Sequence, residues 1–187
     1  MVIGANQFDL DRGFEGQIAN IQHYNHIRGT QENFRNGTNE FIPFGSMVAR
    51  IPGGEPGALR IAQAGDVILG VAILNDRFMA QLDETFGSNS LIDDGGRRTG
   101  FPPNQTMPVL AKGVVYLRFE QTVPANTPLF FRTTENAVPG VGERLGRPRL
   151  DADGGNAEQV PGNAARLTEN AFAGEVAAVE FDITPLI

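Results

Sequence analysis

PVLAKGVVYLRFEQTVPANTPLFFR, residues 108–132, is the stretch whose reading decides the fold class. Val115, Leu117 and Phe119 fall on one side of an extended chain, and Tyr116, Arg118 and Glu120 on the other, the period of two expected for a half-buried strand. The VPANTP that follows carries two prolines and an asparagine, which stop a ladder. Leu129, Phe130 and Phe131 then open a second apolar run. The expected unit is therefore strand, tight connection, strand, with Glu120 on the wet face. It holds no nucleophile, metal cluster or phosphate loop, and it reads as scaffold.

Working outward, the rest of the chain has the same texture. Met47 to Ile51 and Ala58 to Ala62 read as short strands around the breaker cluster PGGEPG. VILGVAIL, residues 67–74, is apolar on both sides, as in a strand buried on both faces, and Gly70 in its middle marks a close backbone approach or a bulge. Near the C-terminus, Ala177, Val179, Phe181 and Ile183 alternate with Ala178, Glu180 and Asp182. The 23 glycines and 12 prolines disfavour helix bundles. The expectation is an all-β fold, a small β-barrel or sandwich with an extended N-terminal arm and long loops. Residues 1–40 form the arm and 41–187 the barrel or sandwich domain, with long loops at about 75–107 and 133–162.

Composition narrows the function. With 187 residues the chain suits one domain, and without cysteine it has neither a disulfide framework nor thiolate chemistry. A net charge of -7 argues against nucleic acid as a direct partner, which needs clustered cations. No apolar run reaches membrane-spanning length and the N-terminus lacks signal-peptide order, so no membrane partner is expected. Lys112 is the single lysine beside fourteen arginines. That bias fits an interface protein, and it fits the coding bias of a GC-rich genome better.

Candidate chemistry is sparse. His23 and His26 lack a third ligand at metal spacing, and Asp151-Ala152-Asp153-Gly154-Gly155-Asn156 departs from a calcium loop by lacking a closing glutamate. No metal or cofactor is expected. None of Ser46, Ser88 and Ser90 sits in a nucleophile elbow, and the acid pairs Asp83-Glu84 and Asp93-Asp94 read as solvated loop residues. Asn36-Gly37-Thr38 and Asn104-Gln105-Thr106 are incidental sequons. What remains is spaced apolar anchors on polar thread. Phe8, Leu10, Phe14, Ile18 and Ile21 lie on the arm, and Leu91, Ile92 and Phe101 on the first long loop. These are the candidate partner contacts. An arm that covers its own body is the competing reading.

The order of landmarks also resembles a family. The segment GQIA at 16–19 comes first, then Ile42-Pro43-Phe44-Gly45 and Gly65-Asp66 before Leu69-Gly70-Val71-Ala72. Pro108-Val109-Leu110, Gly113-Val114-Val115-Tyr116-Leu117, Val123-Pro124-Ala125 and Leu129-Phe130-Phe131 follow. Ala164-Ala165-Arg166-Leu167, Gly174 and the run from Ala177 to Phe181 close the series. This order is similar to that of the capsid cement, or decoration, proteins of tailed bacteriophages over residues 40–187, with a looser match before. The loop after Leu74 and the stretch around 144–161 are longer than the family's compact pattern. The resemblance implies a non-enzymatic structural protein of the virion, on the outer surface of the capsid. Its partner would be the major capsid protein of the phage head, with a homo-oligomer, a trimer, seated where capsid subunits meet. A β-sandwich carbohydrate-binding or host-attachment module is the alternative, although Tyr24 and Tyr116 offer few aromatic platforms. A carboxylate glycosidase is third.

Overall fold

The computed structural model describes residues 15–18, 34–74, 100–135, 144–161 and 164–183, and the backbone of 26–28. Among these residues the structure is built from thirteen short strands. They are β1 (His26–Arg28), β2 (Arg35–Asn36), β3 (Ile42–Pro43), β4 (Met47–Arg50), β5 (Ala58–Ile61), β6 (Ile68–Ala72), β7 (Gly100–Phe101), β8 (Val109–Arg118), β9 (Phe130–Arg132), β10 (Pro148–Arg149), β11 (Ala157–Gln159), β12 (Ala165–Leu167) and β13 (Val176–Asp182). The main sheet runs β12-β13-β8-β6-β4-β5-β2, with β1 also paired to β8. A three-stranded sheet, β10-β9-β11, and a two-stranded one, β3-β7, complete the fold. The main sheet does not close on itself, so of the two expected architectures the sandwich fits and the barrel does not.

Alternation explains how one sheet serves two cores. Met47 and Ala49 of β4 enter a large core with Val71, Leu110, Val115, Leu117, Phe131 and Phe181. Val48, between them, enters a second core with Phe34, Phe44, Leu59, Phe101 and Val109 on the opposite face. The three-stranded sheet covers the first face through Phe131, and β3-β7 covers part of the second through Ile42 and Phe101. β6 is buried along its whole length, as its unbroken apolar run requires. Its Gly70 stands at the bulge where β4 and β6 change register. A Cβ there would lie 2.3 Å from the carbonyl oxygen of Leu110, so the strands meet at a distance only glycine allows.

Several expectations need correction. β8 and β9 do not form a hairpin. β8 pairs with β1, β6 and β13, whereas β9 pairs with β10 and β11 in the other layer. The connection between them is held by bridges from Val123 to Ala171 and from Pro128 to Arg166, and it carries the chain from one sheet to the next. Glu120 is buried, not wet. Phe101 is a core residue: it is fully buried in β7 with its ring edge-on to Phe44 at 5.0 Å, and is not a surface anchor. Apolar transfer drives it inward, at about 2 to 3 kcal/mol for a buried phenylalanine. The interval 133–162 holds β10, β11 and the 3-10 turn Asp153–Gly155, which fold back on β9.

The described parts of the first forty residues are built onto the body. Phe34 is fully buried in the second core, and β2 runs parallel to β5. β1 pairs with β8, and Ile18 forms a bridge to Val115. Asn36 is buried with its hydrogen-bonding capacity filled. Its Nδ2 donates to the carbonyls of Glu40 (2.6 Å) and Phe101 (2.8 Å), and its Oδ1 accepts from the backbone N–H and hydroxyl of Thr38.

Candidate functional site

Among the described residues, buried charge is concentrated at two places where layers meet. At the first, the chain leaving β8 turns Glu120 inward. The Arg132 side chain from β9, 1% exposed, meets it in a two-pronged contact: Nε donates to Oε1 at 2.6 Å and Nη2 to Oε2 at 2.8 Å. Arg149 from β10 reaches the same carboxylate at 3.2 Å. Both guanidiniums also touch Asp153, at 3.0 and 2.8 Å, and Arg149 meets Asp151 at 2.9 Å. The hydrogen bond from Arg132 to Glu120 raises the arginine's pKa, against the opposing effect of burial. The backbone N–H of Asp153 holds the exposed Asp151 carboxyl below its ordinary value. Flat guanidiniums suit this work, because each presents several donors in one plane to carboxylates on different elements.

At the second place residues 15–18 lie along β8. Glu15 inserts its carboxylate beside Arg147, at 2.9 Å, and Arg118, at 3.6 Å. Burial pushes its pKa above the ordinary carboxylate value, while Arg147, Arg118 and Arg144 pull the other way. Burial likewise lowers the pKa of Arg147, with Glu15 opposing. Both shifts have desolvation as their largest cause, so this pair is held in place by the surrounding backbone as well as by its own attraction. Gly16 N donates to Tyr116 O at 2.7 Å, Tyr116 N to Gln17 O at 2.9 Å and Leu74 N to Gly16 O at 2.8 Å.

The Asp151–Asp153 loop has its carboxylates committed to arginine, which fits it for bracing more than for a hard cation. No group of three or more His, Asp or Glu side chains with metal-binding geometry occurs among the described residues. On the surface, Phe41, Val67 and Phe172 are exposed large apolar residues. Tyr116 is half-buried beside residues 15–18, the strap across β8, while Tyr24 lies outside the described residues.

Of the contact residues expected from sequence, Ile18 is half-buried against the large core and Phe101 is inside the second. Phe8, Leu10, Phe14, Ile21, Leu91 and Ile92 lie outside the described residues. Of the bracing residues, the sequence pattern places Glu120 on the wet face and does not single out Glu15, Arg132, Arg147 or Arg149. The one signal for them was the preference for arginine over lysine.

Buried arginine–carboxylate contacts thus brace the layers of the sandwich. Its role comes from the comparison with known families: the chain belongs to the phage cement family, described as structural cement protein (E217 gp24/Pam3 gp6), whose sequence model matches residues 4–182. No curated protein matches the chain. Family membership makes the protein a structural component that associates with a phage capsid.

Proposed function

We propose that the protein binds across junctions between major capsid protein subunits on the outer surface of the phage head and stabilises the shell against the pressure of packaged DNA. Family membership over residues 4–182 carries this reading. The fold supports it in physical terms: two cores and two buried charge clusters make a body that resists deformation when pulled from several sides. A ligand that binds only the assembled shell lowers the free energy of that shell, and several modest contacts made by one molecule multiply through avidity. Catalysis has no part in this role. The molecule acts as a homo-oligomer, a trimer, which multiplies the contacts again.

The contacts we assign to the capsid are Phe8, Leu10 and Phe14 on the N-terminal side of the strap, with Ile21, Leu91 and Ile92. The test is co-sedimentation with purified empty heads, comparing the full chain with Phe8→Ala and Phe14→Ala variants. Each truncation is expected to weaken binding by about 1 to 2 kcal/mol, roughly five- to thirtyfold in affinity. Removal of residues 1–40 is the wrong test, because it also removes Phe34 from the second core. Pelleting of both variants equal to that of the unaltered chain refutes the assignment.

A further inference from the structure

The edge of β8 opposite β13 supplies one more inference. Along a strand, alternate residues turn their backbone polar groups to opposite edges. Phe119 N donates to Glu175 O and Ile183 N donates to Ala111 O, so these positions of β8 and its extension face the β13 side. Tyr116 faces the other way. There β6 pairs only with Val109 and Leu110, and residues 15–18 take over, bonding Tyr116 through Gly16 and Gln17 and placing Ile18 opposite Val115. The strap thus occupies a sheet edge that would otherwise be a template for strand addition.

The seat is selective. It takes a carboxylate at its first position, where Arg147 and Arg118 wait. At the next position it tolerates no side chain: a Cβ on Gly16 would lie 2.7 Å from Phe44 Cβ and 3.1 Å from Gly45 N, and its φ of +79° is itself a glycine conformation. Two residues on it takes an apolar side chain, since Ile18 packs against the large core. An acid, a glycine, any residue and then an apolar one is a demanding pattern, and this chain carries it in the strap itself.

We propose that the seat on β8 is an exchangeable strand-addition site whose second occupant is residues 15–18 of another copy of the chain. A swapped strap makes every contact that the resident one makes, so exchange changes connectivity and leaves the contacts unchanged. This gives copies a way to link that does not depend on the capsid.

The experiment empties the seat in the full chain without altering it, using Gly16→Val, which cannot close, and Glu15→Arg, which is repelled by Arg118 and Arg147. The probe is a fluorescent synthetic peptide with the sequence of residues 11–20, DRGFEGQIAN, and the readout is anisotropy. Both variants are expected to bind the peptide at least about tenfold more tightly than the unaltered chain, whose tethered strap competes at a far higher effective concentration. A peptide carrying Gly16→Val is expected not to bind. Three results overturn the proposal: no binding by variants that still unfold cooperatively, equal binding by the unaltered chain or by the substituted peptide, or loss of cooperative unfolding in both variants. The last would make the strap inseparable from the body.

Discussion

Replacing Glu120 by leucine removes the carboxylate on which two buried guanidiniums converge. Its side chain is 2% exposed, Arg132 1% and Arg149 7%, so water cannot take its place. Breaking a buried ion pair from one side costs about 3 to 5 kcal/mol, because the remaining charge is stranded. Here Asp153 still lies 3.0 Å from Arg132 and 2.8 Å from Arg149, which puts the expected loss at the lower end. We expect about 3 kcal/mol, or a fall of about 6 to 12 °C in melting temperature for a chain of this size. Arg132→Met alone strands Glu120 against Arg149 only and should cost about as much. The double variant Glu120→Leu, Arg132→Met leaves neither member of the closest pair unmatched, and should be more stable than the sum of the single losses by about 2 kcal/mol. Urea unfolding followed by circular dichroism supplies all four free energies. Additive losses, or a Glu120→Leu cost within about 0.5 kcal/mol of zero, would refute the argument that the pair acts as one buried unit.

Other expectations test other parts of the structure. Gly70→Ala drives a methyl into the carbonyl of Leu110 and should cost more than about 3 kcal/mol, read as a lowered urea midpoint, since both strands lie in the middle of the sheet. Phe101→Ala should cost about 3 to 5 kcal/mol while leaving head binding per folded molecule unchanged, which separates a core residue from an anchor. Lys112→Ala breaks a pair with Asp182 in which both partners are about half exposed, and should change stability by less than about 0.5 kcal/mol. Glu15 binds its proton more tightly folded than unfolded, so the stability it contributes is full below its ordinary value and is lost as pH rises through the raised one. The urea midpoint of the native chain relative to Glu15→Gln should therefore shift in favour of the native chain between pH 7.5 and 4.5. A shift the other way would show that arginine attraction outweighs burial.

Local patterns were legible in the sequence where one strand's own residues determine them. The alternation in β8 and β13 and the two-sided burial of β6 appear as read, because a period of two or an unbroken apolar run needs no partner to be recognised. Which strand pairs with which was not legible. The connection after Phe119 looks like a hairpin turn, yet its bridges to Ala171 and Arg166, some forty residues on, decide that β9 joins another layer. Glu120 continues the wet face by position, and only Arg132 and Arg149, 12 and 29 residues away, make its burial affordable. Phe101 is followed by two prolines in a stretch without period, so nothing local marks it as core. Residues 16–19 carried part of the family resemblance, but the fit of Gly16 against Phe44 and Gly45 is a contact between distant segments.

The surroundings of Asn36 bear on how such a particle ages. An asparagine followed by glycine is the sequence most prone to spontaneous loss of its amide, through attack of the next backbone nitrogen on the side-chain carbonyl. Here Gly37 N is engaged with the carbonyl of Leu59, and the Asn36 carboxamide is tied at both ends in a dry site. The reaction needs a rotation that these bonds oppose. The folded state thereby shields its most fragile dipeptide from slow chemical decay.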